Sequence, residues 1–293
     1  MKYLYLILTT FLILITGCSK EEDVFDPKNP DNYKLTIEEI DPTMDSDFII
    51  TKDCKLLQDR EIYDSVNDIV WKYNIFLPPT YDSRKTYPVL YLLHGMGSSY
   101  DHWIKSMNIK NVLEYFYSNG YIDLIIVTPD AKNTYYLDGY QDNIKYETFF
   151  HTIFVPQIEE MFPVAKDRSR KFIGGWSMGG YGAIYYSLKY SGDFSFCYAM
   201  SAPVEGRTDG STPSLYPWFE EVKERGNVPY IILDEGDSDT FLQANFNAHW
   251  WMIDLSIPHE MILREGGHDR QFWSKGIYFM FDRLEKFVNN TQP

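Results

Sequence analysis

Lys171-Phe-Ile-Gly-Gly-Trp-Ser-Met-Gly-Gly-Tyr-Gly182 is the stretch on which the fold turns. Its first half is an apolar run of strand length, and its second half opens a helical pattern that continues to Tyr190, so a strand passes straight into a helix at Ser177. A serine in so sharp a turn is held in a strained backbone conformation. Side chains two residues to either side would block the close approach of strand and helix, and Gly175 and Gly179 remove that obstacle. The pentapeptide Gly175-Trp176-Ser177-Met178-Gly179 alone would arise by chance in roughly one chain in ten of this length. The strand before it and the helix after it give it meaning.

Outward from this turn, short apolar runs alternate with helical patterns, the signature of a mostly parallel sheet covered on both faces. The predicted strands are Lys72–Leu77, Val89–Leu93, Ile122–Thr128, Lys171–Trp176, Ser195–Met200, Tyr230–Leu233 and Glu260–Arg264. Helices are predicted near Ile109–Ser118, Thr148–Met161, Met178–Tyr190 and Phe241–Leu255. In the last helix Trp273, Ile277, Met280, Phe281, Leu284, Phe287 and Val288 recur at steps of three and four as one apolar stripe. The expectation is one α/β domain over residues 48–293, with no internal repeat.

Ser177 is a poor nucleophile unaided and needs a base within hydrogen-bond reach, itself oriented by a third group. Of six histidines, His268 lies in Glu265-Gly-Gly-His-Asp269, a loop after a late strand at the carboxyl end of the sheet, where α/β proteins place function. His151 and His249 fall in helices, His259 opens a strand, His102 sits in a polar loop and His94 reads as a partner of its own turn. The acid is expected on the loop after the preceding strand, which offers Asp234, Asp237 and Asp239. Asp234 ends the strand and comes too early. Asp239 is the choice, with Asp237 second and able to cap the next helix instead. The chain order Ser177, Asp239, His268 is the α/β-hydrolase order.

With 44% hydrophobic residues, the 293-residue chain can bury a sizeable core, and its net charge of -15 argues against nucleic acid and polyanionic partners. No Cys/His cluster has metal-ligand spacing, and no cofactor is called for. Cys197 lies in an apolar run and reads as a buried free thiol rather than the partner of Cys54 in a disulfide. At the amino terminus, Lys2 precedes an apolar run from Leu4 to Ile15 that is too short to span a bilayer and ends in Ile-Thr-Gly-Cys18. This resembles a lipoprotein signal over residues 1–17, which implies cleavage before Cys18, lipidation of that residue and a membrane anchor. Ser19-Lys-Glu-Glu-Asp23 looks like the acidic export signal of surface lipoproteins in Gram-negative glycan feeders, implying an outer membrane, cell-surface location, with a periplasm-facing one as the alternative. Residues 18–47, rich in Asp, Pro and Asn, read as lipidated cysteine and tether.

Several stretches together carry a family resemblance: Tyr87-Pro-Val-Leu-Tyr-Leu-Leu-His-Gly, Asp101-His-Trp103, Thr128-Pro-Asp130, Gly174 to Gly182, Glu235-Gly236 with Asp239, and Gly266-Gly-His-Asp-Arg-Gln-Phe-Trp273. They resemble the esterase D and feruloyl esterase group, carbohydrate esterase family 1, from about Trp71 to Phe287. The resemblance implies an α/β-hydrolase fold, a Ser177–His268–Asp239 triad, and an oxyanion hole from the Met96 and Met178 amides. Met178 opens a helix whose first N–H groups lack partners and carry the positive end of its dipole, so the physics agrees. Two departures are Met96-Gly-Ser-Ser-Tyr100 in place of a glycine-rich stretch, and the unmatched opening segment Phe48–Asp68. The expected substrate is a feruloyl or acetyl ester of a plant cell-wall glycan, with Trp103, Tyr135, Tyr136 and Trp218, from an aromatic content of 17%, as substrate-stacking candidates. The alternatives are a prolyl oligopeptidase-like peptidase, which usually carries a propeller for which this chain has no room, and a non-catalytic glycan-binding protein on a hydrolase scaffold.

Overall fold

The computed structural model describes residues 33–38, 49–207 and 209–291. Nine strands form one sheet: β1 (Tyr33–Glu38), β2 (Lys55–Asp64), β3 (Ile69–Leu77), β4 (Val89–Leu93), β5 (Ile125–Pro129), β6 (Lys171–Trp176), β7 (Phe196–Met200), β8 (Tyr230–Gly236) and β9 (His259–Arg264). Their order is β1-β9-β8-β7-β6-β4-β5-β3-β2. Only the β2–β3 and β3–β5 pairs are antiparallel.

The uninterrupted apolar strands are explained by burial on both faces. In β4, Val89, Tyr91 and Leu93 enter one core cluster while Leu90 and Leu92 enter the other. Each such side chain contributes about 1.5–3 kcal/mol by leaving water. Among the described residues eight α-helices cover the faces: α1 (His102–Lys105), α2 (Ile109–Ser118), α3 (Tyr146–Phe149), α4 (Val155–Met161), α5 (Met178–Lys189), α6 (Tyr216–Arg225), α7 (Leu242–Asp254) and α8 (Arg270–Thr291). A π-helical turn, Phe150–Phe154, joins α3 to α4 inside the predicted Thr148–Met161 helix.

Three elements depart from expectation. No helix is predicted between Met178–Tyr190 and Phe241–Leu255, yet α6 forms there, with Pro217 in its first turn, where a proline's missing N–H costs nothing. The opening segment supplies β2, which extends the sheet beside β3. The stretch read as tether supplies β1 against β9, and the alternation Tyr33, Leu35, Ile37 was its signal. The expected signal peptide, Cys18 and the acidic segment after it lie outside the described residues.

Candidate active site

Three loops at the carboxyl ends of β6, β8 and β9 bring the predicted residues together. Ser177 stands between β6 and α5 with φ 54° and ψ -121°. This strained turn is held from both sides: the Ser177 N–H donates to Met200 O at 2.8 Å and the Tyr181 N–H donates to Ser177 O at 3.0 Å. A Cβ on Gly179 would stand 2.2 Å from Leu93 O, and one on Gly175 would stand 2.5 Å from the Gly179 carbonyl. Both glycines are therefore steric requirements of the turn.

Ser177 Oγ lies 2.9 Å from His268 Nε2, and His268 Nδ1 lies 3.1 and 3.2 Å from the two oxygens of Asp239. Asp239 also accepts the Phe241 N–H at 2.9 Å, and the Ser201 hydroxyl favours its charged form. Burial works to raise its pKa, but His268, Phe241 and Ser201 outweigh it and hold the carboxyl below the usual aspartate value. The imidazole is fixed in orientation by Trp273, edge-on at 4.9 Å, and by Phe241 at 5.1 Å. Trp273 in turn stacks on Trp176 at 4.3 Å and donates its Nε1–H to Ser201 Oγ at 2.9 Å. Ser201 was missed in the sequence; its signal was its place directly after β7, at the same edge as Ser177.

The competing carboxylates are occupied elsewhere. Asp234 accepts two hydrogen bonds from Arg264, at 2.7 and 2.9 Å, and one from Tyr198 OH at 2.8 Å, all within the core. Asp237 accepts the Gly266 N–H at 3.1 Å, which ties the two loops together rather than capping a helix. Of the other histidines, His249 and His259 bond to each other at 2.8 Å, and His151 stacks on Tyr190 at 3.5 Å. His102 opens α1 and packs against Trp176. Cys54 and Cys197 are buried free thiols whose pKa burial pushes up to about 12, so neither is a nucleophile at neutral pH.

His94 holds the loop of the second expected oxyanion donor. Its Nε2 accepts the Ala131 N–H at 2.9 Å, which leaves Nδ1 to donate to Gly95 O, also at 2.9 Å. Tyr136 OH donates to His94 O at 2.8 Å. Met96 follows this pinned segment with its side chain exposed, while the Met178 side chain is buried and its N–H lies in the first turn of α5.

Burial corrects three of the four aromatic substrate candidates, Trp103, Tyr135 and Tyr136. Trp103 and Tyr136 are wholly inside the core, and Tyr136 packs where a Cβ on Gly182 would meet its ring. Tyr135 is buried against Tyr140 and Tyr181, and Trp218 lies half-buried on α6 against Tyr185. With a large aromatic content, rings in nominal loops were used to build the core.

A hydroxyl, an imidazole and a carboxylate in this sequence can move a proton from Ser177 while an acyl carbon is attacked. The family model for Esterase matches residues 69–280. The acetyl esterase of Caldicellulosiruptor saccharolyticus is 26% identical over 226 residues, covering 67% of this chain and 83% of that protein. An esterase of Mycobacterium tuberculosis is 31% identical over 173 residues, 57% of this chain and 35% of that protein. Among solved structures, a ferulic acid esterase is similar at TM-score 0.74 and 31% identity, covering 81% of this chain and 100% of the other. The ferulic acid esterase of Anaeromyces mucronatus, solved in complex with ferulic acid, shares the fold at TM-score 0.68 and 22% identity, covering 88% of this chain and 100% of the other. Matched by the family model over most of its length and by a ferulic acid esterase over the whole of that protein, the chain belongs to the esterase family, in the feruloyl esterase (carbohydrate esterase family 1-like) group of α/β-hydrolases, and is a carboxylic ester hydrolase.

Proposed function

We propose that the protein removes feruloyl or acetyl groups from plant cell-wall glycans by way of an acyl-enzyme on Ser177. The observation that carries the reading is the continuous contact from Ser177 Oγ through His268 to Asp239. As Oγ bonds to the ester carbon, its proton passes to His268 Nε2, and Asp239 stabilises the imidazolium through Nδ1–H. Charge gathers on the former carbonyl oxygen, where the Met96 and Met178 amides receive it. Losing one such donor typically costs about a hundredfold or more in turnover. The imidazolium then returns its proton to the departing alkoxide, and water repeats the sequence to free the acid.

The choice of acyl group is supported by the likeness to a ferulic acid esterase and to an acetyl esterase. A glycan too large to enter the cell fits the anchor read from Cys18 and the acidic segment after it. A panel of methyl ferulate, acetylated xylan, an aryl acetate and a proline-containing peptide substrate tests this reading. Turnover of methyl ferulate or acetylated xylan well above the peptide supports it; cleavage of the peptide alone favours a peptidase, and no turnover of any ester favours a glycan-binding protein. For the anchor, Cys18→Ala should move the protein out of the membrane fraction, and retention there would refute lipidation.

A further inference from the structure

Glu235 stands directly after Asp234 near the end of β8 and is wholly buried, yet no hydrogen-bond donor reaches either of its carboxyl oxygens among the described residues. Asp234 shows what an ionised carboxylate receives on this strand: two bonds from Arg264 and one from Tyr198. Because successive strand side chains face opposite ways, Glu235 is turned from that arginine. The chain instead folds Asp239 back onto it through a tight turn closed by the Asp239 N–H to Gly236 O bond of 3.1 Å, and the two carboxyls interact.

Two buried negative charges in contact, without a cation between them, would be costly. A neutral Glu235 has an O–H to give, and Asp239 can take it. A carboxylate offers about four lone-pair sites, and His268 and Phe241 occupy two of them, with Thr240 Oγ1 at the outer limit of 3.5 Å.

We propose that Glu235 is a positioning residue: a neutral carboxylic acid that donates a hydrogen bond to Asp239 and so fixes the carboxylate that orients His268. The charged groups acting on it agree. Burial, then the Asp239 charge and its hydrogen bond, then Asp234 push the Glu235 carboxyl well above the usual glutamate range, and Arg264 opposes them only in part. An acid kept neutral beside an ionised one is a recurrent way of dividing roles between two carboxyls.

The inference rests on the triad proposed above, and its test separates the two. In the infrared difference spectrum of wild type minus Glu235→Gln at pH 7, a protonated-carboxyl carbonyl band is expected whether or not the protein turns over ester. Its absence, meaning an ionised Glu235, would overturn the proposal. Glu235→Leu removes the donor and should lower kcat about tenfold or more, the scale of one hydrogen bond to a charged acceptor, with KM nearly unchanged and melting no lower than wild type. Glu235→Gln restores a neutral donor and should recover most of that loss. Equal impairment of the two variants, or full activity in Glu235→Leu, would also overturn it. Failure of the triad reading shows separately, as activity retained in Ser177→Ala.

Discussion

Asp237 and Asp239 lie two residues apart in one loop and have different tasks, because only one faces the imidazole. Asp239 is buried, depressed in pKa and bonded to His268 Nδ1, whereas Asp237 is exposed and joins two loops through the Gly266 amide. Asp239→Asn should therefore lower kcat on the scale of about ten thousandfold, and Asp237→Asn should change it little. Steady-state kinetics of the two purified variants decides, and the reverse order would move the orienting role to Asp237. Ser177, His268 and Asp239 were legible because a strand-turn-helix pattern and a fixed chain order carry them. Tyr136 and Trp103 were not, since a ring in a nominal loop reads the same whether it faces a substrate or braces the scaffold. Tyr136 braces the His94 carbonyl.

At the level of elements, the central strands could be read from the sequence because burial on both faces leaves an unbroken apolar run, and Val89–Leu93 and Lys171–Trp176 fall where expected. The edge strands could not: β2 shows seven exposed or half-buried positions before its first buried one, so no apolar face announces it. Helix α6 was hidden by a proline that breaks a helix interior but suits its first turn. The junction of β6 with α5 has the least tolerance, because the obstacle facing Gly179 is the backbone carbonyl of Leu93. Gly179→Ala should destabilise the fold by about 3 kcal/mol, at the upper end for overpacking, with loss of activity beyond the loss of folded protein. Urea unfolding measures it, and a change within about 0.5 kcal/mol would show that strand and helix can separate at no cost.

For the whole molecule, acid should be a threat from within. Burial lowers the pKa of His151 to about 3 and that of His259 to about 4. In the unfolded chain both take up protons near pH 6.5, so below that value the unfolded state binds more protons than the folded one and stability falls as pH falls. The slope is up to about 1.4 kcal/mol per pH unit for each histidine, with the His259 share ending near pH about 4. His151→Phe keeps the stack on Tyr190 and removes a buried nitrogen that has no partner among the described residues. It should flatten the fall measured by urea unfolding between pH 7 and 4, and an unchanged slope would place the acid sensitivity elsewhere. The sheet also explains the site as a whole, because β6, β8 and β9 end along one edge and their loops converge there. The most direct test of this account is the turnover of an aryl ester by Ser177→Ala, read together with the site of covalent labelling of the wild type by a serine-reactive phosphonate. The account predicts a fall of several orders of magnitude in kcat with little change in stability, and a label on Ser177 alone. Retention of a tenth of the activity, or a label on any other residue, would contradict it.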